Sequence, residues 1–371
     1  MLRFLGLFIF IFSLFLCEIS YADVNVVVIS PQDGNYEEMG EEIIEGAKIA
    51  IEDINSNGGI KGEKINLITV SDQCNDVLSL STAQMISVSS SKQDKVSLVI
   101  GPYCSNSFEE ISETFAKAKI FQIIPNSVGT NNYKQNHKGL VKMLGSKERQ
   151  GKDFFEFYQE SFSDKKVALI YDSDDRDIVD IAAVVQAEFR KANLSEQFKS
   201  FDVNKYKSSE SLAKAVTKTG YEMAYILGSS NKVIEVFKEI KERKPEFIIF
   251  TNRYQLTDDY VDVLGKVAEG TYSIGLPSLK DSPSFTEKLV EFRLLGIEPE
   301  GLSVYSYSAV KLWQDLVLKS DSFDYDTLSK LLINDKFETT WGEVVFKNGS
   351  PEDTLNYSVY KISDGHFEQV K

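Results

Sequence analysis

The chain has 371 residues, a formal net charge of −15 and 42% hydrophobic residues. The strong negative charge argues against nucleic acid or an anionic membrane surface as a partner, because both are negatively charged themselves. The two histidines, His137 and His366, lie far apart in the sequence and give neither a metal-ligand spacing nor a catalytic pair. We therefore predict a protein that is not an enzyme and has no metal or cofactor. The length also exceeds what one hydrophobic core usually serves, so it predicts two lobes.

The N-terminus, residues 1–22, has the features of a secretory signal peptide. Arg3 supplies a positive charge, an apolar run covers 5–16, and small residues precede a cleavage point after about Ala22. The apolar run is too short for a comfortable transmembrane helix, and no later segment is apolar enough to cross a bilayer. Cys17 suggests a lipoprotein, but the leucine before it stands where lipidation expects a small residue. We therefore expect a soluble, exported protein without a lipid anchor.

Apolar runs and helical patterns alternate along the rest of the chain, with no low-complexity linker between the two halves. Such alternation is typical of parallel strands joined by helices, and it predicts an α/β fold. The predicted strands cover 24–29, 65–70, 98–100, 121–124, 140–144, 167–171, 198–203, 223–227, 247–250, 271–276, 344–346 and 357–362. The predicted helices cover 39–54, 76–91, 111–118, 147–158, 178–189, 211–219, 232–244, 285–295 and 303–318.

Polar residues directly follow two of these strands. Ser105 comes after the third predicted strand, and Asn126 and Ser127 come after the fourth. Ligands of parallel α/β sheets bind outside the carboxyl ends of the strands, and a hydroxyl beside free amides at a helix start favours an anion. The plainer alternatives are an N-cap serine at Ser105 and an ordinary Asn-Ser turn. We expect these three residues at the site of a small ligand.

Cys74 and Cys104 are the only cysteines beyond residue 17, and each follows a predicted strand. The two side chains could therefore meet at one edge of the sheet, where a disulfide would join two neighbouring loops. The alternative is two free, buried thiols. We predict the disulfide, because the signal peptide implies an oxidising compartment.

An ordered set of short segments resembles the leucine/isoleucine/valine-binding proteins of bacterial ABC importers. Single segments are weak signals, but their order along nearly the whole mature chain is specific. The matching segments are Met39-Gly40, Gly46-Ala47, Ala50-Ile51-Glu52-Asp53-Ile54-Asn55, Gly58-Gly59-Ile60-Lys61-Gly62, Asp72-Gln73-Cys74-Asn75-Asp76, Ile100-Gly101-Pro102-Tyr103-Cys104-Ser105-Asn106-Ser107, Ile124-Pro125-Asn126-Ser127 and Ala268-Glu269-Gly270.

This resemblance implies the type I periplasmic binding protein fold, with two Rossmann-like lobes joined by a three-crossover hinge. It places the first lobe at 23–144 plus 276–350 and the second at 145–275 plus 351–371. The implied function is capture of a small amino acid, amide or organic acid by hinge closure, followed by delivery to an ABC permease in the inner membrane. The alternative is a sensory module with the same fold, which presents its ligand to a membrane receptor instead of a permease. We expect a monomer in either case.

The resemblance also assigns ligand contacts in the first lobe. Ser105 stands where the family binds the ligand's α-carboxylate through a hydroxyl and a backbone N–H. Asn126, Ser127 and Val128 match the family's loop after the fourth strand; valine removes a threonine hydroxyl there, which Ser127 could replace. Met39 stands in the place of the aromatic cover, with Tyr36 nearby as a substitute. Tyr103, beside the second cysteine, is a further candidate.

The second-lobe positions depart further from the family. Arg176 and Ser229 replace two aromatic residues, and Arg253 replaces the acid that pairs with an amino acid's ammonium group. A guanidinium repels an ammonium group but pairs well with a carboxylate. Two interpretations follow. Either the ligand carries a second anionic or acceptor group that reaches Arg176 or Arg253, or a different acid contacts the ammonium group. The candidates for that acid lie in one suitable loop: Asp172, Asp174 and Asp175. Each arginine could also be an ordinary surface charge.

Overall fold

A computed structural model shows two open sheets flanked by helices, and a small third sheet. It describes residues 24–90, 95–104, 107–127, 137–228, 230–252, 264–279, 285–297, 299, 301–340, 342–347, 349–351 and 357–371. No helix within these residues is both long and apolar enough to span a bilayer.

The first sheet is parallel, with the strand order β2-β1-β3-β4-β5. The interior strand β1 is buried along its whole length, as a near-continuous apolar run between two helical layers should be. The strands are β1 Val24–Ile29, β2 Ile65–Val70, β3 Val96–Ile100, β4 Phe121–Ile124 and β5 Leu140–Lys142. The helices between them are α1 Glu37–Ser56, α2 Asp76–Ser90 and α3 Phe108–Ala118.

The second sheet has the order β15-β14-β10-β9-β8-β6-β7, parallel from β10 to β7 and antiparallel at β14 and β15. Its aromatic residues pack against α4, where Phe154 stacks on Tyr225 with ring centroids 4.1 Å apart. The strands are β6 Val167–Tyr171, β7 Phe198–Asp202, β8 Met223–Leu227, β9 Ile248–Asn252, β10 Tyr272–Gly275, β14 Ser358–Ser363 and β15 His366–Gln369. The helices are α4 Arg149–Ser161, α5 Arg176–Lys191, α6 Ser209–Lys218 and α7 Asn231–Arg243.

The segment between β10 and β14 returns to the first sheet. Helix α9 lies directly against α1, where a side chain at Gly46 would come within 1.9 Å of the Ser303 carbonyl oxygen. The Ser306 hydroxyl donates a hydrogen bond of 2.7 Å to the Ile43 carbonyl across the same contact. The elements are α8 Thr286–Leu294, α9 Gly301–Ser320, α10 Tyr325–Asn334 and the antiparallel strands β11 Lys336–Thr339, β12 Gly342–Lys347 and β13 Ser350–Pro351.

The chain crosses between the two large sheets after β5, after β10 and after β13. Residues from all three crossings, including Leu144, Leu276 and Tyr357, lie together around one small pocket. These crossings agree with the three-crossover hinge of the type I periplasmic binding fold. The lobe boundaries given above stay a prediction.

Candidate functional site

The carboxyl end of β1 is held closely against the start of α1. A side chain at Gly40 would lie 1.7 Å from the Pro31 carbonyl oxygen, and the Ser30 hydroxyl donates 3.2 Å to the Gly40 carbonyl. A glycine is therefore required for the helix to begin this near the strand. The close contact places Met39, which is buried, and Tyr36 at this edge of the sheet.

Cys74 and Cys104 form the predicted disulfide, with Cα atoms 5.1 Å apart. The expectation of neighbouring loops is wrong in one respect: β1 lies between β2 and β3, so the bridge spans the loops of two strands that do not pair. The buried Asp72 carboxylate supports the first loop by accepting from the Ser79 hydroxyl at 2.8 Å and the Cys74 N–H at 3.2 Å. Burial raises the pKa of Asp72 above its ordinary value despite these donors.

The loop after β3 is fixed from two sides. Gly101 has φ +98°, and a side chain there would lie 2.2 Å from the Ile29 carbonyl oxygen. From β4, the Gln122 amide donates 2.9 Å to the Gly101 carbonyl, and Asn126 donates 2.9 Å to the Tyr103 carbonyl. The loop that carries Tyr103 and Cys104 is therefore held rigidly at the carboxyl edge of the sheet.

Asn126 and Ser127 are buried at the carboxyl end of β4. The Asn126 amide nitrogen points toward the carbonyls of Tyr103 and Ser127, at 2.9 and 3.3 Å, which assigns the other side-chain atom as the oxygen. Among the residues that the structure describes, this buried oxygen has no hydrogen-bond partner. The Ser127 hydroxyl accepts a hydrogen bond of 2.6 Å from the Tyr357 hydroxyl. The carboxyl end of β4 therefore presents the Asn126 oxygen as an available acceptor beside the oriented Ser127 hydroxyl.

At the edge of the second sheet, Asp172 follows β6 and is surrounded by donors. It accepts from the Ser230 hydroxyl at 2.7 Å, the Asn204 amide at 2.8 Å and the Asp174 N–H at 3.0 Å. Burial favours a higher pKa for Asp172, but these donors outweigh it and hold the pKa below its ordinary value. Both carboxylate oxygens already accept hydrogen bonds, which favours a structural role for Asp172 in the strand-end loops.

The other two acids of this loop differ from Asp172. Asp174 is exposed, and an Asp175 oxygen accepts from the Ile178 N–H at 3.3 Å, near the start of α5. Of the predicted site residues, Ser105, Val128, Ser229 and Arg253 lie outside the described residues. Arg176 begins α5, and its side chain also lies outside them.

Three further buried polar residues were not anticipated from the sequence. Asn252 ends β9, and its side-chain oxygen has no hydrogen-bond partner within the described part of the chain. Gln150, in the first turn of α4, is fully buried, and neither of its side-chain amide atoms pairs with a described residue. Tyr357 reaches Ser127 from the third crossing. A polar residue at the end of an apolar strand was an available signal for Asn252. Within the described residues, no cluster of His, Cys, Asp and Glu could hold a metal ion.

The two sheets and their crossings define a type I periplasmic binding protein fold, and solved structures share it. The leucine-binding protein LivK of Thermotoga maritima superposes with a TM-score of 0.77 at 16% identity, covering 94% of this chain and 98% of that one. The branched-chain amino acid-binding LivJ of Streptococcus pneumoniae, solved with isoleucine, gives 0.75 at 16% identity over 93% and 98%. A Rhodopseudomonas palustris solute-binding protein, solved with benzoate, gives 0.75 at 14% identity over 94% and 95%.

The chain belongs to the periplasmic binding protein family, whose model matches residues 23–366. An amino acid binding protein of Pseudomonas aeruginosa is 26% identical over 355 residues, covering 94% of this chain and 93% of the relative. Leu/Ile/Val-binding protein homolog 1 of Brucella suis is 25% identical over 349 residues, covering 93% and 92%. The family resemblance, the fold and the prediction of a binding protein rather than an enzyme are confirmed.

Proposed function

We propose that the protein is a periplasmic solute-binding protein of an ABC importer. It captures a small, carboxylate-bearing solute between its lobes and delivers it to a permease in the inner membrane. The observation that carries this proposal is the buried pair Asn126 and Ser127, which presents unused hydrogen-bonding capacity at a strand end beside the crossings. Export with cleavage after about Ala22 and a monomeric state are part of the same proposal.

The lobes of this proposal comprise 23–144 plus 276–350, and 145–275 plus 351–371. The placement of β1 to β5 in one sheet and of β6 to β10, β14 and β15 in another supports this division. Closure about the three crossings would bring the carboxyl ends of both sheets onto the solute. Closure of the lobes would thus link binding of the solute to a closed conformation, which a permease can recognise.

We infer that the first lobe binds the carboxylate of an amino acid, an amide's carbonyl or a small organic acid. The Ser127 hydroxyl and the residue Ser105 supply donors, and the unpaired Asn126 oxygen accepts from a ligand N–H. The names of two relatives, an amino acid binding protein and a Leu/Ile/Val-binding protein homolog, support this class of ligand. Met39, Tyr103 and Val128 line the ligand on this side.

From the second lobe, Arg253 follows Asn252 directly and would reach a carboxylate or another acceptor on the ligand. The unpaired Asn252 oxygen would accept from a ligand N–H, in place of the family's acid. Arg176 and Ser229 complete this side of the proposed site.

A thermal-shift screen tests the proposal. The twenty common L-amino acids, their amides, dicarboxylates and 2-keto acids are added singly to the purified protein. We expect at least one to raise Tm, because binding to the folded state alone stabilises it by mass action. The Ser105→Ala, Arg253→Ala double variant should lose this shift. An unchanged Tm across the whole panel would contradict the proposed ligand class, and an unchanged shift in the double variant would contradict the proposed site.

A further inference from the structure

We propose that Tyr357 is a positioning residue of the ligand site, which orients the Ser127 hydroxyl and links it to the connection between the lobes. This inference rests on the proposed function. Tyr357 lies in the third crossing, immediately before β14, and is 8% exposed. It is more than 200 residues from Ser127 in sequence, so the contact joins two distant parts of the fold.

The main chain of Tyr357 is fixed to the second sheet's helical layer. Its N–H donates 2.8 Å to one oxygen of the Asp153 carboxylate in α4. The other oxygen of Asp153 accepts from the Arg149 guanidinium at 2.7 Å. Asp153 is itself buried, so this pairing is shielded from water. The backbone of Tyr357 therefore has a defined position relative to α4.

The side chain of Tyr357 reaches the other way, to the strand end of the first sheet. Tyr357 lines the small pocket together with Leu144 and Leu276, and its hydroxyl lies 2.6 Å from the Ser127 oxygen. Tyr357 thus connects α4 to the loop after β4 through one hydrogen bond at each end.

The direction of the hydrogen bond between the two hydroxyls follows from their acidity. A phenol, with an ordinary pKa near 10, is a far better proton donor than an aliphatic hydroxyl. Tyr357 therefore donates and Ser127 accepts, which leaves the serine proton for another acceptor. The O–H bond of Ser127 can then point toward a carboxylate oxygen of the ligand. The hydrogen bond that it donates there is charge-assisted.

Tyr360 supplies a matched control in the neighbouring strand. It is buried as well, and its hydroxyl donates 2.5 Å to the Leu276 carbonyl at the second crossing. Replacing either tyrosine with phenylalanine removes one buried phenol hydroxyl near the crossings and keeps the ring. Only Tyr357→Phe removes the partner of Ser127.

The experiment measures dissociation constants by calorimetry for each of the twenty common L-amino acids. The variants are Tyr357→Phe, Tyr360→Phe, Ser127→Ala and the double variant Ser127→Ala, Tyr357→Phe. For the amino acid that binds wild type most tightly, we expect Tyr357→Phe to weaken binding about tenfold, the size of one oriented hydrogen bond. Tyr360→Phe should bind as wild type does. In the Ser127→Ala background, Tyr357→Phe should cause no further loss.

Each other outcome has a definite meaning. Wild-type affinity in Tyr357→Phe, or the same loss with and without the Ser127 hydroxyl, would overturn the positioning role and leave the proposed function intact. If wild type binds none of the twenty amino acids, the amino acid reading of the proposed function fails first, and this inference falls with it.

Discussion

At the scale of single residues, the site depends on polar atoms whose orientation is set by neighbours. Asn126 is oriented by two backbone carbonyls, and Ser127 by a tyrosine from the third crossing. Asp172 differs, because both of its oxygens accept hydrogen bonds from residues that follow other strands of the second sheet. We therefore propose that Asp172 stabilises the strand-end loops, whereas Asn126 and Ser127 bind the ligand.

Replacing Asp172 with asparagine tests this assignment. The native pKa of Asp172 is lowered, so its contribution to stability is present above the unfolded pKa and is lost as pH falls through the native pKa. We expect Asp172→Asn to lower the free energy of unfolding by about 1–3 kcal/mol at pH 7, because buried donors lose a charged partner. Urea unfolding at pH 7 and in the acid range below pH 4 measures the effect.

The exposed neighbour Asp174 provides the control, since Asp174→Asn keeps the backbone N–H that Asp172 accepts from. We expect this variant to unfold like wild type at every pH. A loss in Asp172→Asn that is no larger than in Asp174→Asn, or that persists unchanged in acid, would show that the carboxylate is not the stabilising group.

The sequence located some of these residues and could not locate others. Asn126 and Ser127 follow an apolar strand, and the rule for parallel sheets places such residues at a ligand edge. Tyr357, which donates a hydrogen bond to Ser127, lies in the third crossing, and no local sequence pattern shows that this crossing passes close to the end of β4. The hydrogen bonds that Asn204 and Ser230 donate to Asp172 likewise form only because loops from separate strands meet in the fold.

At the scale of elements, the alternation of apolar runs and helical periods predicted most strands and helices within a few residues. It missed α10, whose start is capped by the Asp324 side chain accepting from the Thr327 N–H at 2.9 Å. It also missed the edge strands β11 and β15. Exposed and buried residues alternate in β11, and most of β15 faces water, so neither strand carries a strong apolar signal. The Asp364-Gly365 turn before β15, with both residues at positive φ, was a usable hairpin signal.

The disulfide is the element-scale feature with the largest expected effect. It closes a loop of 30 residues, which in the chain-entropy model stabilises the folded state by roughly 3 to 4 kcal/mol. We expect the Cys74→Ser, Cys104→Ser double variant to lose about that amount, measured by urea unfolding. Wild type treated with a reductant is the comparison and should approach the variant. Equal stability of variant and oxidised wild type would contradict a structural role for the bridge.

At the scale of the whole molecule, the two sheets are linked by three crossings that come together around one small pocket. Helix α9, which comes after β10 of the second sheet in the chain, packs against α1 of the first sheet through Gly46 and Ser306. The number of crossings followed from the family resemblance rather than from periodicity, because periodicity does not show which sheet a strand joins.

The central claim is that the two lobes close over a small solute bound at their strand ends. Small-angle X-ray scattering of the protein, with and without the compound that gives the largest thermal shift, tests this most directly. We predict that saturating compound lowers the radius of gyration of wild type, and that the Ser105→Ala, Arg253→Ala variant at the same concentration keeps the unliganded value. A compound that binds wild type and leaves the radius of gyration unchanged would contradict closure of the lobes over the solute.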